Sequence, residues 1–275
     1  MVSTAAQWRA ALEAWALPDR ILEAAPEDPY RTPVGVLSQP ERWTSEHPTI
    51  RPIEAHLPPG GVLVDVGCGP GTLAARYVGD ARVVGVEPAP HLAAQAAASG
   101  IEVVEERWPD AAPRVPEADV VVCTHVLYDV ADLTPFVAAL THHARGVVVV
   151  ELTARHPWAG LAPLYRRFHD LDRPDGPTAD QAIAVVVDAV GAAAAVERWL
   201  RPGTIYEDLD ALVAHRRRQL CLPAEADPEV AEAIAGTYEV LDDGRVQTRP
   251  GEVVTLRWEG RAEGGSGRAS GWAGA

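Results

Sequence analysis

Lysine is missing from this sequence, and its absence leaves the chain strongly acidic. All 24 basic side chains are arginine, against 39 aspartate and glutamate residues, so the formal net charge is -15. The abundance of alanine, arginine, glycine and proline is typical of a GC-rich genome, and we give it no functional weight. Nucleic-acid binding normally depends on clustered cationic side chains. The composition therefore argues against nucleic acid as a partner.

Long apolar runs and cysteine pairs are missing as well. No stretch of about 20 uncharged apolar residues occurs, and no basic segment followed by an apolar core opens the chain. We therefore expect a cytoplasmic protein that does not contact a membrane. Cys68, Cys123 and Cys221 are too far apart for a C-x-x-C pair, and their odd number favours a reducing compartment. The histidines and acids show no compact ligand spacing, so no metal site is predicted.

What the sequence does have is a glycine-rich turn between two apolar runs. Residues 61–72 read Gly-Val-Leu-Val-Asp-Val-Gly-Cys-Gly-Pro-Gly-Thr, and a second run, Ala81–Val86, is followed by Glu87. Glycines in the turn let the backbone bend sharply and lie against a ligand, because they carry no Cβ. Glu87 follows Gly69 by 18 residues, close to the spacing at which dinucleotide-binding folds place an acid on the ribose hydroxyls. The pattern predicts a pocket for an adenosine compound.

The glycine spacing separates the candidate cofactors. A pyrophosphate-binding turn reads G-x-G-x-x-G, and its third glycine lets the helix N-terminus approach the phosphates. Here the spacing is G-x-G-x-G, and Thr72 follows the last glycine. Asp65, at the end of the first strand, would repel a phosphate and attract an ammonium or sulfonium group. S-adenosylmethionine therefore fits the pattern better than NAD or FAD.

The run Asp65-Val66-Gly67-Cys68-Gly69-Pro70-Gly71 resembles the first motif of the class I S-adenosylmethionine-dependent methyltransferases. The resemblance covers roughly positions 40–259, and its specific part is the cofactor half. It implies an α/β fold with a seven-stranded, mostly parallel, doubly wound sheet whose last strand is antiparallel. It also implies S-adenosylmethionine as cofactor and S-adenosylhomocysteine as product. The cofactor contacts implied by this first segment are Asp65, Gly67, Cys68, Gly69, Gly71, Glu87 and Pro88.

Two later segments complete the cofactor site that the resemblance implies. Arg107 and Trp108 occupy the position at which the family usually contacts adenine. Trp108 could stack on the adenine ring, or it could be held in the core by Pro109. The second segment looks like the family's fourth motif, whose backbone carbonyls would bind the ammonium group of the cofactor, and it consists of Cys123, Thr124 and His125.

Candidate catalytic residues follow the same strands. His125 and Tyr128 would point toward the sulfonium, and a histidine with a near-neutral pKa can remove a proton from an attacking hydroxyl or amine. The alternative is that His125 only shapes the cofactor pocket. His156, after the fifth strand, is a further candidate for contact with the acceptor. A nucleophilic Cys123, as in cytosine C5 methyltransferases, is disfavoured because Val122 stands where those enzymes have proline.

Segments outside the minimal fold would select the acceptor. In the resembling family an N-terminal segment often lies over the cofactor, so His47 or Arg51 could reach the carboxylate of the cofactor or the substrate. The stretch from Trp158 to His169 could line an apolar acceptor pocket, although a plain packing face explains its spacing equally well. We interpret the run Arg216–Arg218 as a solvated face.

Alternating strands and helices predict parallel βαβ units. Strands are predicted at Val62–Asp65, Arg82–Glu87, Glu102–Glu105, Asp119–Cys123, Gly146–Leu152, Ala195–Leu200 and Glu252–Trp258. Helices are predicted at Ala5–Leu17, Arg20–Ala25, Thr72–Tyr77, His91–Ala98, Thr134–His142, Gly160–Leu171, Ala179–Val190, Tyr206–Gln219 and Pro228–Glu239. We expect an N-terminal helical segment at 1–40, a cofactor-binding domain at 41–259 with helical cap elements at about 158–190 and 206–240, and a flexible tail at 260–275.

The function expected from the resemblance is methyl transfer to a small-molecule acceptor at oxygen, nitrogen or carbon. An RNA or protein methyltransferase is the first alternative, which the acidic charge disfavours. The chain also lacks the Asp/Asn-Pro-Pro-Tyr/Phe pattern of enzymes that methylate exocyclic amines. A protein that binds S-adenosylmethionine or S-adenosylhomocysteine without catalysis is the second alternative.

Overall fold

The computed structural model describes residues 2–191 and 194–261. Its strands in these ranges are β1 Val62–Val66, β2 Arg82–Val86, β3 Glu102–Val104, β4 Ala118–Thr124, β5 Ala144–Thr153, β6 Ala195–Arg201, β7 Ile205–Tyr206, β8 Tyr238–Val240, β9 Val246–Thr248 and β10 Gly251–Glu259. Seven of them form one sheet in the order β3-β2-β1-β4-β5-β10-β6, with β10 antiparallel to both of its neighbours. The other pairs in this sheet are parallel. The predicted seven-stranded, mostly parallel sheet is confirmed.

Valine-rich runs explain why the central strands are buried on both faces. Val120–Val122 in β4 and Val147–Val150 in β5 are no more than 5% exposed, and they pair in register, with Val121 opposite Val148. β-branched side chains fit a pleated strand, and runs without polar alternation are typical of parallel strands that are covered on both sides.

Helices cover both faces of this sheet. They are α1 Thr4–Glu13, α2 Asp19–Leu22, α3 Val34–Leu37, α4 Ile50–His56, α5 Pro90–Ala98, α6 Leu133–His143, α7 Ala162–His169, α8 Ala179–Val190, α9 Leu209–Gln219 and α10 Asp227–Ala233. One face packs on α4 and α5 through an apolar cluster that includes Ile53 and Val149. The other packs on α1, α6 and α8 through a larger cluster that includes Trp8, Phe136 and Val148. Helices on both sides of one sheet make this the doubly wound fold.

A third apolar cluster lies outside the sheet and joins distant parts of the chain. It contains Ile21 of α2, Tyr165 of α7, Leu212 of α9 and Val230 of α10. Strands β7, β9 and β8 form a small antiparallel sheet in that order, and Val246 of β9 belongs to the same cluster. We call α2, α7, α9, α10 and β7–β9 together the cap region.

Two of the predicted helices are shorter than expected because short strands lie where one should begin and the other should end. The helix predicted from Tyr206 starts at Leu209, and the one predicted to end at Glu239 ends at Ala233. Strands β8 and β9 are joined by a turn in which Gly244 has a φ of 87°. The pair Asp243-Gly244 between these strands is a hairpin signal, which the predicted helices did not take into account.

Helix α8 belongs to the main sheet rather than to the cap region, although it falls inside the cap segment predicted at about 158–190. Its Ala182 and Val186 are buried in the cluster around Trp8. Within the ranges that the structure describes, no helix is both long enough and apolar enough to cross a membrane. From position 262 onward, the tail predicted at 260–275 lies outside the described residues.

Candidate active site

The carboxyl ends of β1, β2, β4 and β5 meet at one edge of the sheet, because these strands are parallel neighbours. In open α/β sheets, ligands bind outside this edge, near the point where the strand order reverses. Here the order reverses at β1 and β4, since the chain continues outward from β1 to β2 and β3 and then returns to β4. The glycine turn follows β1 and His125 follows β4, so both lie at the reversal point.

The glycines of the turn have different local roles. Gly67, Gly69 and Gly71 all have positive φ, 73°, 55° and 81°. A Cβ at Gly67 would lie 2.3 Å from Cγ2 of Val126, and one at Gly71 would lie 2.5 Å from Cδ1 of Ile101. Apart from Gly69 and its two chain neighbours, no described residue has an atom within 4 Å of a Cβ at Gly69. Gly67 and Gly71 are therefore needed for close packing, whereas Gly69 leaves open space in which a ligand can approach the backbone.

Two acids flank this turn. Asp65 is 1% exposed and its Oδ1 has no hydrogen-bond partner, and burial together with the charge of Glu87 raises its pKa to about 7. Glu87 accepts hydrogen bonds from the backbone N–H of Gly69 at 3.0 Å and of Ala89 at 2.8 Å. A carboxylate oxygen can accept more than one hydrogen bond, so Glu87 keeps acceptor sites for ribose hydroxyls. An ammonium group at Asp65 would satisfy its unpartnered oxygen, so these residues fit S-adenosylmethionine.

Other predicted cofactor residues lie around this pocket. Cys68 is buried and packs on Gly85. A Cβ added at Gly85 would lie 2.6 Å from Sγ of Cys68. Pro88 and Arg107 are exposed, and the charge of Arg107 counteracts the rise that burial causes in the pKa of Asp129. Thr124, at the end of β4, pairs with Glu151 of β5. Their contacts with the cofactor remain predictions.

Of the two roles open to Trp108, the structure favours packing in the core. Trp108 is 8% exposed and packs edge-on against His143, while its Nε1 donates a hydrogen bond to the carbonyl of Phe136. It therefore fills the core and does not offer its face to adenine. The side chain of Cys123 is fully buried in the same cluster, so only its backbone can take part in binding.

His125 has an unusual backbone and two competing partners. Its φ is 60°, and its backbone N–H donates to the carbonyl of Glu151 at 2.7 Å. Its Nε2 lies 2.9 Å from Glu151 Oε1 and 2.6 Å from Arg201 Nη1. A non-glycine residue in the left-handed region is uncommon and points to a local constraint, often a functional one. The strained turn brings the imidazole to the carboxyl end of β5.

Glu151 is the centre of a buried polar cluster that consists of His47, Thr49, His125, Glu151 and Thr255. Its side chain is 0% exposed, and its Oε2 accepts a hydrogen bond from Thr49 Oγ1. Thr49 Oγ1 also lies 3.1 Å from Thr255 Oγ1. Burial raises the pKa of Glu151. Its interactions with His125, Thr49 and His47 have the larger combined effect and lower this pKa below the ordinary value. We call these five residues the Glu151 cluster and expect its carboxylate to be ionised at neutral pH.

Burial favours the neutral form of both histidines in the Glu151 cluster at neutral pH. Nδ1 of His47 accepts a hydrogen bond from the backbone N–H of Thr49 at 3.2 Å, so the imidazole proton is on Nε2, which faces Glu151 Oε2 at 4.0 Å. Burial lowers the pKa of both His47 and His125. For His125 the charge of Arg201 lowers the pKa further, against the opposing effect of Glu151.

Tyr128 and His156, the other predicted catalytic residues, lie outside the Glu151 cluster and have different partners. The Tyr128 hydroxyl donates to the carbonyl of Thr153 at 2.7 Å, and burial raises its pKa. The His156 ring stacks on Trp15 at 4.1 Å, and burial and the charge of Arg173 lower its pKa to about 4. The Tyr128 ring lies 5.6 Å from that of Trp8, so both side chains contact the N-terminal segment. Their catalytic roles remain predictions.

Of the two N-terminal candidates, His47 reaches the Glu151 cluster and Arg51 does not. Arg51 pairs instead with Glu197 at 2.5 Å on the surface. The stretch proposed to line an acceptor pocket packs in the cap region, where the Tyr165 hydroxyl donates to the carbonyl of Gln219. Glu151 is not among the site residues predicted from the sequence. The one available signal was its position as the acid that ends the valine run of β5.

The sheet is doubly wound, and its glycine turn and acids fit an adenosine cofactor. A histidine and a buried glutamate lie at the same edge. Together these features define a cofactor-dependent α/β enzyme. A family model described as a methyltransferase domain matches residues 39–176, which is half of the chain. The chain belongs to this methyltransferase family. S-adenosylmethionine is the methyl donor that the family and the residues of the turn indicate.

Solved structures with a similar fold include three of known source. The YcgJ protein from Bacillus subtilis is 14% identical, with 78% of this chain and 97% of that one covered and a TM-score of 0.49. A SAM-dependent methyltransferase from Archaeoglobus fulgidus is 12% identical, with 76% of this chain and 90% of that one covered and a TM-score of 0.45. Magnesium protoporphyrin IX methyltransferase from Synechocystis, solved with bound SAH, is 14% identical, with 55% of this chain and 72% of that one covered and a TM-score of 0.43. Similarity at this level says nothing about the acceptor. Comparison with curated proteins gives no match.

Proposed function

We propose that this enzyme transfers a methyl group to a small-molecule acceptor at oxygen, nitrogen or carbon, and that His125 takes the proton that the acceptor loses. The observation that carries the proposal is the approach of His125 Nε2 to within 2.9 Å of the fully buried Glu151, at the sheet edge that also holds the glycine turn. The formal charge of -15 favours a small acceptor over a polyphosphate.

Cofactor placement would come from the turn and its acids. When bound, the cofactor supplies a methyl carbon that its positive sulfur has already activated. Asp65 would hold the ammonium group, Gly69 would let the backbone approach, and Glu87 would accept hydrogen bonds from the ribose. Correct alignment of donor and acceptor can contribute about 7 to 11 kcal/mol to the rate, so placement is the main task of the protein.

Proton removal would fall to the His125–Glu151 pair. Burial keeps the imidazole of His125 neutral, so Nε2 has a lone pair that can accept a proton from an attacking hydroxyl or amine. The ionised Glu151 would then stabilise the imidazolium that forms. The products would be the methylated acceptor, S-adenosylhomocysteine and a proton on His125.

The first experiment is calorimetric titration with S-adenosylhomocysteine, S-adenosylmethionine and NAD, followed by transfer of labelled methyl groups to a panel of metabolites, bulk tRNA and cell protein. We expect binding of the two sulfur compounds, no binding of NAD, and label in small molecules only. Label in tRNA or protein would support the first alternative. Binding without transfer to any class of acceptor would support the non-catalytic alternative.

His125→Gln separates a base from a pocket residue. We expect a fall in turnover of about 10²- to 10⁴-fold, with the affinity for S-adenosylhomocysteine changed by less than about threefold, a factor worth under 0.7 kcal/mol. The control is Arg198→Gln, because Arg198 lies on β6 and forms exposed ion pairs with Asp180 and Glu252. Equal losses of turnover and affinity in His125→Gln would make His125 a pocket residue only.

A further inference from the structure

Two partly buried arginines beside the Glu151 cluster lack an acidic partner. Arg201 ends β6, and Arg42 ends a short 3-10 helix at Pro40–Arg42. Within residues 2–191 and 194–261, no carboxylate oxygen comes within 4.0 Å of either guanidinium. Nη2 of Arg42 is buried without a hydrogen-bond partner. In a chain with 39 acids for 24 arginines, two such guanidiniums in one place call for an explanation.

The charged groups around Arg42, Arg201 and Glu151 carry one positive charge in excess. Burial and the charge of Arg201 lower the pKa of Arg42 to about 10, so Arg42 is still charged at neutral pH. Burial also lowers the pKa of Arg201, and the charge of Glu151 opposes this lowering. Glu151 is the buried acid nearby, since Glu41 is exposed to solvent. With neutral His47 and His125, two positive charges face one negative charge, and a single negative charge would complete the balance.

The contact between Arg201 and His125 shows where that charge would act. A guanidinium can only donate hydrogen bonds and a carboxylate can only accept them. Nε2 of His125 accepts from Arg201 when it is unprotonated, and it can bond to Glu151 Oε1 only when it carries a proton. Oε1 has no hydrogen-bond partner in this arrangement, although Nε2 is 2.9 Å away. Arg201 therefore occupies the lone pair that a general base would use.

We propose that Arg42 and Arg201 bind a carboxylate group of the methyl acceptor, and that this carboxylate draws Arg201 away from Nε2 of His125. The inference rests on the proposed methyl transfer and names its substrate class, a small monocarboxylate. Arginine suits the role because its planar fork matches a carboxylate in two parallel hydrogen bonds. An acceptor without the carboxylate would leave Arg201 on His125 and the base blocked. The site would thereby select its substrate by charge and prepare the base in the same step.

The smallest probe of this site is acetate, with acetamide as its uncharged match. Imidazole signals of His125 can be followed by NMR and assigned with His125→Gln, since the chain has nine histidines. At constant ionic strength and with saturating S-adenosylhomocysteine, we expect acetate to shift the His125 signals saturably and acetamide to leave them unchanged. We also expect the titration midpoint of His125 to rise by about one pH unit in acetate, because Arg201 leaves while Glu151, Arg42 and His47 stay.

Arg201→Gln and Arg42→Gln should each weaken acetate binding at least about tenfold, which is 1.4 kcal/mol, while Arg198→Gln should leave it unchanged. Equal responses to acetate and acetamide, or acetate binding that survives both substitutions, would overturn the inference. Competition between acetate and S-adenosylhomocysteine, with a tenfold loss of S-adenosylhomocysteine affinity in Arg201→Gln, would also overturn it. That result would assign the arginines to the carboxylate of the cofactor. Failure of the unsubstituted protein to bind S-adenosylhomocysteine would instead count against the proposed function, whatever acetate does.

Discussion

At the scale of single residues, the glycine turn combines two requirements that the sequence pattern does not separate. Gly67 and Gly71 have neighbours that would collide with a Cβ, whereas Gly69 faces open space, and all three have positive φ. Substitution at the first two therefore disturbs packing, and substitution at Gly69 disturbs the surface that the cofactor would meet. Stability and cofactor affinity should respond differently to the same change at different positions.

Gly71→Ala and Gly69→Ala form a matched pair that tests this difference. A positive φ costs alanine about 1–2 kcal/mol, and overpacking adds about 1–3 kcal/mol. We expect Gly71→Ala to lose more stability in urea unfolding, because it has both the cost of positive φ and the cost of overpacking. Gly69→Ala should have only the cost of positive φ. Gly69→Ala should instead lose affinity for S-adenosylhomocysteine. Equal losses of stability would show that the contacts of Gly71 with Ile101 and Ala96 relax without cost.

Asp65 should make the stability of the protein depend on pH in a particular direction. Its folded-state pKa of about 7 lies above the ordinary value of 3.8, so the folded protein holds the proton more tightly than the unfolded chain. The stabilisation is complete below the ordinary pKa and is lost as the pH rises toward 7. The free energy of unfolding of Asp65→Asn, measured relative to that of the wild type, should therefore rise by about 1 to 3 kcal/mol from pH 5 to pH 8.

Urea unfolding of both proteins at the two pH values measures that difference directly and cancels the contributions of the buried histidines. Asp65→Asn should also bind S-adenosylhomocysteine about 1.5–3 kcal/mol more weakly, because a charge-assisted hydrogen bond to the ammonium group is lost. A stability difference that does not change with pH would mean that Asp65 is solvated in the folded protein.

At the scale of helices and strands, ion pairs between distant segments hold the cap region together. Arg217 of α9 is 8% exposed and pairs with Glu27 at 3.0 Å and with Asp227 of α10 at 2.8 Å. Hydrogen bonds from Arg217 and Arg218 lower the pKa of Glu27. The interpretation of the arginine run as a solvated face is therefore wrong for Arg217, whose two acidic partners come from other segments.

Arg217→Met tests the energy of this connection. Both acids are partly exposed and can be solvated after the change, so we expect a loss of about 1–2 kcal/mol rather than the larger cost of a fully buried pair. Arg245→Gln is the control, because its pair with Asp243 is half exposed on both sides, and it should change stability by no more than about 0.5 kcal/mol. Equal effects in urea unfolding would show that Arg217 adds nothing beyond a surface pair.

The elements of the main sheet were predictable because their signals are local. The valine runs of β4 and β5 and the glycine turn after β1 are each contained in a few consecutive residues, and all seven predicted strands of the sheet are present. The strands of the cap region were missed, because β7–β9 have only two or three residues each. The predicted helices also overlapped β7 at Tyr206 and β8 at Tyr238 and Glu239. Trp108 illustrates the remaining ambiguity, since core packing and adenine stacking require the same aromatic residue.

At the scale of the whole molecule, the polar groups that meet at the sheet edge come from distant positions in the chain. Separate segments of the chain supply Arg42, Thr49, His125, Glu151 and Arg201, and only the fold brings them together. No spacing in the sequence connects them, so Glu151 and the arginines could not be assigned in advance. The cofactor residues, in contrast, lie mostly in one βαβ unit, where sequence spacing translates directly into position.

The folding of the whole chain should be linked to this cofactor pocket. A ligand that binds only the folded state stabilises it by about 2.7 kcal/mol at 100 times its Kd, and a chain of this size gains about 2–4 °C in Tm for each kcal/mol. We therefore expect S-adenosylhomocysteine at that concentration to raise Tm by about 5–10 °C in a thermal scan. NAD at the same concentration should leave Tm unchanged, because Asp65 would repel its phosphates. An equal rise with NAD would mean that the pocket recognises only the adenosine portion, and Asp65 would then lose its role in cofactor choice.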